Sequence, residues 1–176
     1  MFEERLKKLQ KLLLQNNLDA LLVTNPYNIF YLTGFIGLSP EEREATVLIN
    51  EACVTLNLPK MYEEEGLQLE KSSNFILEVV EERNFLFTQK HSSFHESKTV
   101  GIEAENLTIS EYNLLKENTR VNFRETIGLI ESLRLIKDNN EIILIKKAVE
   151  ITDKAFENIK KYCPKFQLAS STSLFW

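Results

Sequence analysis

The sequence has only two cysteines and two histidines in 176 residues. Cys53 and Cys163 lie far apart and form neither a CxxC nor a zinc-ligand pattern, which leaves cytoplasmic residence as the expectation. Glycine and proline are scarce, five and four. Phenylalanine, leucine and isoleucine are plentiful, so enough apolar surface exists to offset chain entropy, and disorder is excluded. Long apolar runs are missing too. The first fifteen residues interleave Glu3, Glu4, Arg5, Lys7, Lys8 and Lys11 with the leucines, so they read as neither a membrane span nor a secretion signal. Positive charge is in deficit, 21 basic against 26 acidic side chains, and binding to nucleic acid by bulk charge is disfavoured. No GxGxxG, P-loop or GxSxG occurs. What is present, 43% hydrophobic residues and a net charge of −5, suits a globular domain with an appendage, long enough to bury a core.

Phe2, Leu6, Leu9 and Leu13 recur at helical spacing and predict an amphipathic helix ending near Asn16-Asn17. The short apolar run from Asp19 to Thr24, stopped by Asn25-Pro26, predicts a buried strand. Pro26 then suits the first turn of a helix through Leu32, broken by Gly34. Residues 45–50 and 52–57 predict an antiparallel hairpin. Helices near 61–70 and 84–91 are expected to alternate with strands near 75–80 and 99–103. Thr108 and Glu111 have the spacing of a capping box, and residues 121–123 predict a final strand. The alternation argues an α/β fold, a mixed β-sheet with flanking helices.

After Arg124 the character changes to a helical junction, 127–136, and one long helix that Asp138 and Glu141 cap by the same logic. Ile142, Ile145, Val149, Phe156 and Ile159, with Thr152, form a stripe that seeks a partner. Ala148 and Ala155 allow close approach. The period alone leaves the partner open, its own domain or a further one. Residues 163–176 contain no acidic residue and end on the sole tryptophan, so they are expected to be a loose tail.

Candidate chemistry is sparse. His91 and His95 stand at i and i+4, a spacing that can hold a metal on a helix. Ser92, Ser93 and Ser97 surround them, and a solvated loop is the expected reading. The acidic clusters Glu63-Glu64-Glu65 and Glu41-Glu42-Arg43-Glu44 read as solvated faces, because sequence neighbours on a helix do not face each other. Cys53 is expected inside a strand, buried and inert.

Two segments carry a resemblance. Residues 19–35, DALLVTNPYNIFYLTGF, resemble the strand, turn and helix near the start of Xaa-Pro aminopeptidases and prolidases. Residues 133–142, LRLIKDNNEI, with Ala148, resemble the junction where those enzymes enter their catalytic domain. Val100-Gly101-Ile102-Glu103 followed by Leu107-Thr108 is a third, weaker match. The sequence departs at 59–62, where many relatives have an Asp-containing turn. The resemblance implies a creatinase-type N-terminal domain over 1–126, the junction and first helix of a pita-bread catalytic domain over 127–162, and a tail outside the family over 163–176.

Full-length relatives hydrolyse the bond before proline with two divalent metal ions, manganese or cobalt, held by carboxylates and a histidine of the pita-bread domain. No cofactor and no catalytic residue is therefore expected in this chain, which reads as a truncated, inactive N-terminal part. The resemblance also implies a homodimer in which this domain walls the partner's cleft, with proline-containing peptides as the substrate. Tyr27, Tyr31 and Phe35 would then offer apolar bodies to a proline ring, and Arg43 would meet a substrate carboxylate. The competing reading keeps the aromatics in the core and pairs Arg43 with Glu42 or Glu44. Two other functions stay open: a metal-free binding module like the histone-chaperone relatives, and the N-terminal part of a creatinase-like amidinohydrolase.

Overall fold

The computed structural model describes residues 2–37, 39, 42–73, 75–81 and 97–162. They divide into two compact units, Met1–Leu135 and Ile136–Trp176. In chain order the first unit holds α1 (Phe2–Gln15), β1 (Ala20–Val23), α2 (Pro26–Thr33), β2 (Thr46–Asn50), β3 (Val54–Pro59) and α3 (Glu63–Ser72). It continues with β4 (Ile76–Val80), β5 (Thr99–Glu103), α4 (Ile109–Asn118), β6 (Asn122–Thr126) and α5 (Leu129–Leu135). The second unit contains α6 (Asn139–Tyr162).

The six strands form one mixed sheet in the order β4-β3-β2-β1-β5-β6. β1 pairs antiparallel with β2 and parallel with β5, so it is saturated on both edges. β2 and β3 make the antiparallel hairpin, while β3–β4 and β5–β6 are parallel. Alternate residues of a strand point to opposite faces. Leu21 and Val23 therefore join one core with Leu6, Leu9 and Leu13 of α1, Ile29 and Leu32 of α2 and Ile130 of α5. Ala20 and Leu22 join the other with Leu48, Val100, Ile102 and Leu115 of α4. Burial on both faces explains why β1 reads as an unbroken apolar run. Each fully buried leucine contributes about 1.5–3 kcal/mol.

Local chemistry sets the element boundaries. Asn50 Oδ1 accepts from the N–H groups of Ala52 and Cys53 at 2.9 and 2.7 Å, an Asx turn that closes the hairpin. Cys53 consequently lies in the turn before β3 and is half-buried, a correction to its expected place inside a strand. The Thr108–Glu111 capping box is formed, and Asp138 and Glu141 reproduce it at the start of α6 with reciprocal bonds of 2.8 and 2.9 Å. β6 begins one residue later than expected and runs on to Thr126, because parallel pairing with β5 carries it to the register Glu103–Thr126.

Along α6 the stripe residues Ile142, Ile145, Val149, Phe156 and Ile159 are exposed. Ile143, Leu144 and Ile151 outside the stripe are exposed as well, so its apolar surface is broader than one face. The helix expected near 84–91, both histidines, Cys163 and the tail 163–176 lie outside the described residues.

Candidate functional site

In an open α/β sheet, ligands favour the crevice beyond the carboxyl ends of two parallel strands whose connections leave toward opposite faces. β1 and β5 meet that description, since β1 leads into α2 beside one core and β5 into α4 beside the other.

Asn25 caps α2, its Oδ1 accepting from the N–H of Tyr27 at 2.9 Å and of Asn28 at 3.4 Å, with Pro26 occupying the first turn. Gly34 ends the helix at φ +84°, where its N–H reaches the Phe30 carbonyl at 2.8 Å. A Cβ there would also come within 3.0 Å of the Phe2 ring. Both conditions call for glycine.

Between the strand ends sits Glu103. Its Oε2 accepts from the N–H of Thr24 at 2.6 Å, the N–H of Asn25 at 2.7 Å and the Thr24 hydroxyl at 3.2 Å. Its Oε1 accepts from the Asn28 side-chain amide at 2.6 Å. Asn28 is fully buried and donates equally to Glu131 Oε1 at 2.6 Å, while its own Oδ1 accepts from Arg134 at 2.9 Å. Asn28 thus joins α2, β5 and α5, segments 75 to 106 residues apart. Arg134 also stands 6.0 Å from the centre of the Tyr27 ring.

Arg43 is held by a second cluster. Its Nε and Nη2 grip Glu111 bidentately at 2.9 and 3.0 Å, and further bonds run to the Asn106 side chain and carbonyl and to the Thr24 carbonyl. Burial raises the Glu111 carboxyl, but Arg43 and the Thr108 N–H outweigh it and hold the group below the ordinary glutamate range. Its partner is therefore neither Glu42 nor Glu44, as sequence proximity suggested, but a residue of α4.

The four residues singled out in the sequence separate. Tyr31 is buried, with its ring beneath the Arg5 guanidinium at 4.1 Å and its hydroxyl donating to the Leu133 carbonyl at 3.4 Å. Phe35 is buried and meets Tyr62 edge to face at 5.2 Å. Tyr27 is exposed, and with Phe30, Phe35 and Ile36 it lines a cavity of about 380 Å³ beside α2. Sequence reasoning assigned no role to Asn28, Glu103 or Glu131. The available signal was a lone acidic residue closing the apolar strand Val100–Glu103. No group of three or more His, Cys, Asp or Glu among the described residues is placed to hold a metal ion. Among them, no helix is long and apolar enough to cross a membrane.

Comparison with known proteins agrees with this architecture. The family described as the Creatinase/Prolidase N-terminal domain matches residues 5–136. An uncharacterized peptidase of Staphylococcus epidermidis is 36% identical over 161 residues, covering 90% of this chain and 44% of that protein. The Xaa-Pro dipeptidase of Pyrococcus furiosus is 30% identical over 154 residues, covering 87% of this chain and 41% of its own length. Among solved structures, an Xaa-Pro dipeptidase from Bacillus anthracis superposes with a TM-score of 0.78 at 27% identity, over 92% of this chain and 44% of that one. The chain spans less than half the length of each of these relatives. Its six-stranded mixed sheet, its flanking helices and the residues matched lead to one conclusion: the chain belongs to the creatinase/prolidase N-terminal domain family.

Proposed function

We propose that this chain supplies the N-terminal, non-catalytic domain of a cytoplasmic Xaa-Pro peptidase and is inactive by itself. The observation that carries the reading is the Asn28 cluster. Asn28 of one segment that resembles the family, 19–35, is hydrogen-bonded to Arg134 of the other, 133–142, across 106 residues of sequence. The bond makes the start of the junction part of the domain's own packing. In this reading the two divalent ions, manganese or cobalt, belong to a separate catalytic domain. The chain's own part is to wall a partner's cleft in a homodimer that takes proline-containing peptides. Tyr27 would offer the wall's surface, Tyr31 and Phe35 would support it from beneath, and Arg43 would hold the following loop on α4.

A chimera tests this. Residues 1–136 replace the matching N-terminal domain of the Pyrococcus furiosus Xaa-Pro dipeptidase, and Xaa-Pro dipeptide hydrolysis is assayed with added Mn²⁺. The expected result is a folded, active chimera and no hydrolysis by the present chain alone. Turnover by the chain alone, or a folded chimera without activity, overturns the proposal.

A further inference from the structure

The helix α6 is complementary to its own reverse. Over its 24 residues Ile142, Ile145, Val149, Thr152, Phe156 and Ile159 step by three and four, which are the a and d positions of three heptads. All six are exposed. Set against a second α6 running the opposite way, Ile142 of one copy meets Ile159 of the other, Ile145 meets Phe156 and Val149 meets Thr152. By two-fold symmetry each of these pairs occurs twice.

The flanks agree with that register. Along one edge of the seam Ala148 faces Ala155, and two small residues let the helix axes approach toward the lower end of the usual range of about 8–10 Å. Along the other edge Lys146 faces Asp153, opposite charges at the heptad positions that set partner choice and orientation. Both side chains are exposed and available for it. A parallel pair has none of this. Thr152 would meet Thr152 and Phe156 would meet Phe156, while Lys146 would have to reach Glu141, whose carboxylate already accepts from the Asp138 N–H at 2.8 Å.

The area suffices for a pair. The five large residues of the stripe expose between 40% and 59% of their surface. With Thr152, the two alanines and the lysine stems, an antiparallel pair buries roughly 1,200 Å² in all, the lower end of the range of stable interfaces. Leu144 and Ile151 stand outside the Ala148–Ala155 edge and stay at its rim.

We propose that α6 pairs antiparallel with α6 of a second copy of this chain, in the register that sets Lys146 against Asp153. The contact lies wholly on α6, so it is separate from a homodimer in which Tyr27 faces the partner, and it does not rest on the peptidase reading.

The test is sedimentation equilibrium of the full chain over a concentration series, with charge reversals at the flank. The mass is expected to rise from one chain to two and stop there. Lys146→Glu and Asp153→Lys each set like charges against one another twice per dimer, and each is expected to raise the dimer Kd at least about fivefold. The double variant restores opposite charges with the signs exchanged, and its Kd is expected to return to within about twofold of the parent. Such a rescue cannot come from helix strength, because residues seven apart on one helix do not touch. A monomer up to about 1 mM, which leaves the face to a further domain, overturns the proposal. So does an assembly larger than two, or a double variant that binds no better than the weaker single one, the result a parallel pair would give.

Discussion

Replacing Glu103 by alanine removes the acceptor of four hydrogen bonds, two of them from the consecutive main-chain N–H groups of Thr24 and Asn25. Those amides stand at the end of β1, where the strand has run out of partners, and no other acceptor replaces the carboxylate. A buried donor left without a partner costs about 1–3 kcal/mol, and bonds to a charged acceptor sit at the upper end of that range. Glu103 is half-buried, so water repairs part of the loss. Asn28 retains Glu131. Taking about 1–1.5 kcal/mol for each amide and about 1 kcal/mol for the remaining two bonds gives a total of about 3–4 kcal/mol. In a chain of this size that lowers the melting temperature by about 6–16 °C. Glu103→Gln should lie between the parent and the alanine variant. It keeps one acceptor for the amides but turns an NH₂ toward Asn28, which cannot flip in response because Arg134 occupies its Oδ1. Chemical denaturation followed by circular dichroism measures the loss, and hydrogen exchange reports the Thr24 and Asn25 amides directly. If Glu103→Ala stays within about 1 kcal/mol of the parent and those amides remain protected, the cluster is not what holds the strand ends together.

Arg43→Lys should destabilise nearly as much as Arg43→Ala, because an ammonium cannot reproduce the bidentate grip on Glu111; recovery of most of the stability by lysine in a urea titration would contradict this. The folded-state pKa of Glu111 is depressed, so its contribution is present above the unfolded value of about 4.3 and is lost as pH falls through the lower folded value. The stability gap between the parent and Glu111→Gln should therefore be constant at neutral pH and close on acidification below the ordinary glutamate range, and a gap that widens there would refute the assignment. Leu21→Ala, at a fully buried position in the central strand, should cost about 2–5 kcal/mol by the same denaturation assay. Thr108→Ala should cost about 1 kcal/mol through loss of the α4 cap, with fraying of the first turn visible in amide exchange.

Most elements were legible because their signals are local. The leucine spacing of α1, the stop at Asn25-Pro26 and the Thr108–Glu111 box each depend on a few neighbouring residues. Strand order was not legible, since nothing near residue 20 announces that β1 will pair in parallel with a strand eighty residues on. The same limit explains the site. One reading paired Arg43 with its sequence neighbours Glu42 or Glu44, whereas in the fold it is the remote Glu111 that presents both oxygens to it. Tyr27 and Tyr31 share a helical face by spacing, yet one is exposed and the other buried. α2 is only eight residues long, and its first turn emerges at the rim while its second lies over Arg5. Glu103 went unassigned because its partners lie at 24, 25 and 28, a convergence created only by folding.

The position of β1 also bears on how such a chain is made. During synthesis its antiparallel partner β2 emerges soon after it, but the opposite edge stays unsatisfied until residue 103 has cleared the ribosome. For that interval four apolar residues, Ala20 to Val23, present one open edge. Ribosome-bound chains arrested before β5 should thus engage holdase chaperones, and those arrested after β6 should be released from them.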